Sequence, residues 1–325
     1  GVWIGIGLIV YRGYAADREI IHVQKVRALE RIEQKDYRIL VCLSSPRTAS
    51  SLTAVAFAVA KTHNAELIFL NIIEVRGKEK LQAGLDETTY VRPEMEEVKQ
   101  MAAHAGIPSR FMIRVSHRIS QGIIDTAIEE DCNFIVMGRQ KNPDFFDRVF
   151  SSLIDSVIQK APTETAILHG ACSIKELKTI LIPFGANIHT RLAMEIAPAL
   201  ADYFGARLRV AVVLERGMNK AQRDERMLQV NEMMNEYKLS ADLVVVKERD
   251  VLQGITNLSK GADLLLMGGR SGDFMELLFA KSLTMEITRQ AQCPVLWIKE
   301  YEESMSFWSA LKKMSVEKKG ERRHE

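Results

Sequence analysis

Short apolar runs recur along the chain, each followed by a polar turn and a stretch of helical length. The first set is Arg38–Val41, Glu66–Val75, Phe134–Gly138 and Thr165–Leu168. A second set, Thr179–Ile182, Arg207–Leu214, Leu264–Gly268 and Val295–Ile298, has the same order, with the same spacing between its first two and its last two runs. Between the first two runs of each set lies an Ala-rich segment of helical period, Thr53–Thr62 in one and Arg191–Phe204 in the other. Apolar runs alternating with helices predict βαβ units around a parallel sheet. The runs are apolar almost throughout, as expected when helices cover both sheet faces.

The repeat is detailed as well as coarse. Phe134-Ile135-Val136-Met137-Gly138-Arg139-Gln140-Lys141 is followed by nine residues and Ser151-Ser152. Leu264-Leu265-Leu266-Met267-Gly268-Gly269-Arg270-Ser271 is followed by nine residues and Lys281-Ser282. Both sets carry Gln-Gly-Ile where the preceding helix begins, at Gln121-Gly122-Ile123 and Gln253-Gly254-Ile255. With a third strand meeting its helix at His117, and at Arg249 in the second copy, each copy predicts a five-stranded parallel sheet of order 3-2-1-4-5, two doubly wound α/β units in tandem. Ligands of such sheets bind beyond the carboxyl ends of the strands at the switch point. Free N–H groups at a helix start favour phosphate there. Ser44, His117, Gly138, Ser151 and Ser152 belong to one such rim, and Gly185, Arg249, Gly268, Ser271 and Ser282 to the other. The closing runs Thr165–Leu168 and Val295–Ile298 would be bare apolar edges in isolation, and bare edges invite pairing. They predict pairing between the two copies, an intramolecular pseudo-dimer.

Composition changes this picture little. Hydrophobic residues make up 47% and charged residues 26%, which excludes a disordered chain. A net charge of +2 implies no nucleic-acid partner. Cys42, Cys132, Cys172 and Cys293 show no paired spacing, and the first two read as buried thiols. The seven histidines form no metal-ligand spacing, and no phosphate loop or dinucleotide fingerprint occurs. With no nucleophile–base pair in view, the expectation is a protein that is not an enzyme. Ser151, Ser152 and Ser282 also read as helix caps.

Outside the repeat, Val2–Tyr11 is apolar, and Arg12, Arg18, Lys25, Arg27 and Arg31 follow it. A signal peptide carries its charge before the apolar run, not after. Ten such residues reach only ~15 Å, about half a bilayer core. The run therefore predicts the closing part of a transmembrane helix, residues 1–14, with a cytoplasmic side after it. Residues 15–36 predict a juxtamembrane helical stalk, with Ile20, Val23, Val26, Leu29 and Ile32 at every third position. The expected units are then residues 37–170, 177–299 and a charged tail over 300–325.

Met267-Gly268-Gly269-Arg270-Ser271, Lys281-Ser282 and Ala291-Gln292-Cys293-Pro294-Val295-Leu296 resemble the universal stress protein family. Met137-Gly138, Ser151-Ser152 and Ala161-Pro162 carry the same resemblance in the first copy. The N-terminal run also resembles the last membrane helix of an amino acid permease of the amino acid–polyamine–organocation type. The resemblance implies a nucleotide site built from Gly268, Gly269, Arg270, Ser271, Gly272, Lys281, Ser282 and Gly185. In the first copy it implies Gly138, Ser151, Ser152 and Ser44. The implied ligands are ATP, AMP or a cyclic dinucleotide, with no cofactor certain. The family's ATP binders have an Asp ending the first strand, where this chain has Ser44 and Gly185. They also have a glycine where it has Ser151 and Lys281, so the second copy, richer in glycine, is the expected binder. The functional expectation is a cytoplasmic sensor of a cell-membrane transporter, partnered by that transporter's upstream domain and the membrane, and homo-oligomeric. Two alternatives stand beside it: a soluble tandem nucleotide-binding stress protein, and a dimerisation module of a cation/proton antiporter that binds nothing.

Overall fold

A computed structural model describes residues 37–44, 46–75, 92–139, 146–170, 176–185, 190–269 and 283–299. The expected membrane helix, stalk and charged tail lie outside them, as do Arg270, Ser271, Gly272, Lys281 and Ser282. No helix among the described residues is long and apolar enough to cross a membrane.

The first half runs β1 (Arg38–Cys42), α1 (Pro46–His63), β2 (Glu66–Glu74), α2 (Arg92–Ala105) and β3 (Ser109–Ser116). It continues with α3 (Ile119–Glu129), β4 (Phe134–Arg139), α4 (Phe146–Lys160) and β5 (Glu164–His169). The second half repeats the order: β6 (Thr179–Phe184), α5 (Arg191–Phe204), β7 (Arg207–Glu215), α6 (Lys220–Glu236) and β8 (Asp242–Glu248). It closes with α7 (Val251–Ser259), β9 (Leu264–Gly269), α8 (Leu283–Gln290) and β10 (Val295–Lys299).

All strands join one ten-stranded sheet of order β3-β2-β1-β4-β5-β10-β9-β6-β7-β8. Each half has the order 3-2-1-4-5, and pairing within each half is parallel. The halves thus share a sheet rather than forming two separate ones. The join is antiparallel, β5 against β10, with Ile167 opposite Trp297 and Thr165 opposite Lys299.

Side chains alternate across the sheet because the strand period is two. Ile39 and Val41 point to one face, Leu40 to the other. The first face is covered by α1, α2, α5 and α6, and the second by α3, α4, α7 and α8. Each apolar layer contains residues of both halves, so neither half owns a closed core. On the first face the halves meet through aromatic rings: Phe57 of α1 packs edge-on against Tyr203 of α5, and Lys61 lies 5.2 Å from the Tyr203 ring centre. On the second face Lys299 is buried, and its ammonium donates to the Ile158 carbonyl at 2.5 Å. That carbonyl lies in the last turn of α4, where a cation also suits the helix dipole.

Strand register fixes which residues correspond. Ile39 pairs with Leu67 and Ile180 with Leu208, so Ser44 corresponds to Gly185 and His63 to Phe204. Both Gln-Gly-Ile glycines have a packing reason. A Cβ on Gly122 would stand 2.9 Å from Ile72 Cδ1, and one on Gly254 2.6 Å from Val213 Cγ2. The helices α3 and α7 press onto β2 and β7 at those points, and only a missing side chain permits it.

Candidate functional site

The parallel arrangement brings the carboxyl ends of β1, β2, β3 and β4 to one rim, and those of β6, β7, β8 and β9 to another. The order reverses between β1 and β4, and between β6 and β9, the switch points beside which sheets of this kind form a ligand crevice.

At the first crevice, Ser44 is exposed just beyond β1. The Asn71 amide donates to the Leu43 carbonyl at 3.0 Å and ties β2 to the end of β1. His117 Nδ1 lies 3.0 Å from the Val75 carbonyl, so that nitrogen carries the proton and donates. Gly138 sits in β4, and a Cβ there would stand 3.3 Å from Leu52 Cδ1 of α1. Cys42 and Cys132 are not joined in a disulfide. Burial, and secondarily the neighbouring Cys132, push the Cys42 thiol well above its usual range.

One sequence expectation changes here. Ser151 and Ser152 are not at a helix start, because α4 begins at Phe146 and they lie in its second turn. They are not caps of that helix. Gly138 and Gly268 do not have positive φ, so they are not needed for a left-handed turn. Both lie within strands, paired with Leu168 and Ile298.

At the second crevice, Gly268 and Gly269 are buried at the end of β9. The turn expected at Gly269 is not found there, since the strand runs through it. A Cβ on Gly269 would fall 2.4 Å from Trp297 Cζ2, so the indole of β10 occupies that space. This glycine is explained by packing without any ligand. At Gly185, beyond β6, a would-be Cβ meets among the described residues Arg226 Nη1 alone, at 4.0 Å. The Asp250 side chain accepts from Gln253 N at 2.8 Å and caps α7, while Arg118 at the matching point makes no side-chain cap.

The structure adds two residues that the sequence reading passed over, Arg223 and Arg226 of α6. Arg226 Nη1 donates to the Val213 carbonyl at 3.4 Å and lies 3.9 Å from Glu215 Oε1. Its charged run looks like an ordinary solvated helix face. Only the sheet topology brings it to the ends of β6 and β7. Among the described residues, no group of three His, Cys, Asp or Glu is placed to hold a metal.

Residues 37–169 match the Universal stress protein family. No curated protein sequence matches the chain. Among solved structures, a universal stress protein from Archaeoglobus fulgidus DSM 4304 is 18% identical, with a TM-score of 0.59. The similarity covers 83% of this chain and 98% of that one. A putative universal stress protein from Pseudomonas aeruginosa UCBPP-PA14 is 15% identical over 81% of this chain and 93% of its own, TM-score 0.56. The cytoplasmic domain of a prokaryotic cation chloride cotransporter is 13% identical over 83% and 97%, TM-score 0.52. At these identities the likeness concerns the fold: a universal stress-type α/β architecture extended across a mostly parallel sheet.

Proposed function

We propose that this chain is a cytoplasmic regulatory module of a membrane transporter, an amino acid permease, and that it senses a nucleotide rather than catalysing a reaction. In this reading both halves are universal stress-type units, fused through β5 and β10. The observation that carries it is the fold likeness to a transporter's cytoplasmic domain, in a chain whose residues Val2–Tyr11 form an apolar run followed by basic residues. The family match over residues 37–169 and the strand-order switch point in each half support the nucleotide reading. A module with one sheet through both halves suits regulation, because a ligand that stiffens one crevice acts on a layer shared by the other half.

Two measurements test this. Co-flotation of the full chain with lipid vesicles should place it in the lipid fraction, and shortening the chain to start at Asp36 should release it. Calorimetry with ATP, AMP and a cyclic dinucleotide should give saturable heat with at least one. A chain that never floats yet binds nucleotide would instead be a soluble tandem stress protein, a reading favoured by the likeness to the Archaeoglobus fulgidus protein. Flotation without nucleotide heat would leave a membrane-bound assembly module.

A further inference from the structure

Arg226 carries a positive charge on a side chain that is only 11% exposed. Its planar fork has five N–H donors. Among the described residues it meets the Val213 carbonyl at 3.4 Å and Glu215 at 3.9 Å, and Glu215 is itself 41% exposed. Both contacts are long for charge-assisted bonds, which prefer roughly 2.7–2.9 Å. Three residues earlier, Arg223 Nε is buried with no hydrogen-bond partner. Residues at i and i+3 share one face of a helix. The two guanidinium groups therefore belong to the same side of α6. Arg226 Nη1 points at the end of β6, 4.0 Å from where a Gly185 side chain would start. Gly185 itself puts no side chain there.

Burying a guanidinium without full compensation is costly, and a partner anion removes the cost. We propose that the crevice beside Gly185, at the carboxyl ends of β6 and β7, is an anion site in which Arg226 and Arg223 seat a phosphoryl group. Two cations suit a dianionic phosphoryl better than a single carboxylate. Its three oxygens can also take a fork from one side and an Nε–H from the other. At the matching point of the first half stand the exposed Ser44 and the Asn71 amide bound to Leu43, which bring no cation, with Glu74 in the place of Glu215. The phosphoryl seat therefore belongs to the second half. The inference rests on the crevice being a ligand site, and it locates the anionic end of the ligand on α6 rather than at the end of β9.

Calorimetry on the full chain in detergent, with ATP, adenosine and inorganic pyrophosphate, tests it. ATP and pyrophosphate should bind and adenosine should bind at least tenfold more weakly than ATP. Arg226→Gln and Arg223→Gln should each weaken ATP and pyrophosphate at least tenfold. Arg226→Lys, which keeps the charge and loses the fork, should fall between wild type and Arg226→Gln. Arg289→Gln, a change at a side chain 70% exposed on α8, should stay within twofold of wild type. Far-ultraviolet dichroism and the unfolding midpoint of each variant establish that it is folded. ATP binding unchanged by both Gln variants would overturn the phosphoryl seat and leave the sensor reading standing. Pyrophosphate binding that needs both arginines, without any nucleotide heat, would support the seat and overturn the nucleotide. Binding of neither anion would overturn the seat.

Discussion

At the end of β1 the first half presents a small exposed hydroxyl, Ser44, and an amide clamp from Asn71. At the matching end of β6 the second half presents Gly185, with an arginine leaning toward it. The backbone route to these points is the same in both halves, strand for strand. What differs is the side chains carried to the rim. The second half also buries an indole against Gly269, where the first half has Arg139. It caps α7 with Asp250, where α3 starts at Arg118 without a side-chain cap. A repeated fold thus sets where a crevice lies, and each half then decides separately what the crevice can hold.

The sharpest break in the comparison lies beside Trp297. An Ala at Gly269 would drive its Cβ to 2.4–2.8 Å from three indole atoms. A ring in a packed sheet layer cannot move aside cheaply, so Gly269→Ala should destabilise by about 3 kcal/mol. Chemical denaturation would measure this. Adding Trp297→Ile, which gives β10 the residue found at the matching point Ile167, should recover more than half of the loss. An unchanged midpoint in Gly269→Ala would mean that the indole is not held over this glycine.

A smaller difference separates the two Gln-Gly-Ile glycines. At Gly254 the obstruction is Val213, whose Cγ2 and Cγ1 would lie 2.6 and 2.9 Å from a new Cβ. A β-branched side chain has one preferred rotamer and little room to turn. At Gly122 the nearest atom is the terminal Cδ1 of Ile72, at 2.9 Å, which can swing away. Gly254→Ala should cost about 2 kcal/mol and Gly122→Ala about half of that, both read by denaturant unfolding. Equal costs would show that the helices, rather than the side chains beneath them, absorb the change.

Much of the sheet is legible in the sequence, because buried parallel strands are apolar without interruption. The helix α5 also ends where periodicity stops, at a left-handed Gly205. Helix starts are harder. An Ala-rich reading begins α1 at Thr53, whereas the helix starts at Pro46, a residue well suited to a first turn. In α4 the segment before Ser151 is already helical, which removes both serines from the helix start. The rim chemistry is the least legible part. Gly269 reads as a phosphate turn because the indole that excludes its Cβ lies 28 residues away in sequence. Arg223 and Arg226 look like a solvated charge run until β6 and β7 are laid beside each other. Local pattern reports the strand and helix. It does not report what a distant strand carries to the same point.

The mildest contrast is one of pH, at the ends of α1 and α5. His63 stacks on Tyr37 with ring centres 4.4 Å apart, and Phe204 stands at the matching position of the second half. Burial lowers the His63 pKa from its ordinary 6.5, and Glu195 of α5 opposes that in part. A lowered pKa means that the folded state prefers the neutral ring. The stability it contributes is present above about pH 6.5 and is lost as pH falls from there through the lower folded value. The ring is only half-buried, so solvent screens much of the effect. Replacing it as His63→Phe keeps a flat ring on Tyr37, copies the second half, and removes the titration. The unfolding midpoint of the wild-type chain should therefore drop slightly more between pH 7 and pH 5 than that of His63→Phe. The difference should be small, because carboxylates elsewhere dominate acid unfolding in both proteins. If the two curves stay parallel over that range, the charge of His63 is met in the folded chain as well as in water, and Glu195 offsets burial at this seam.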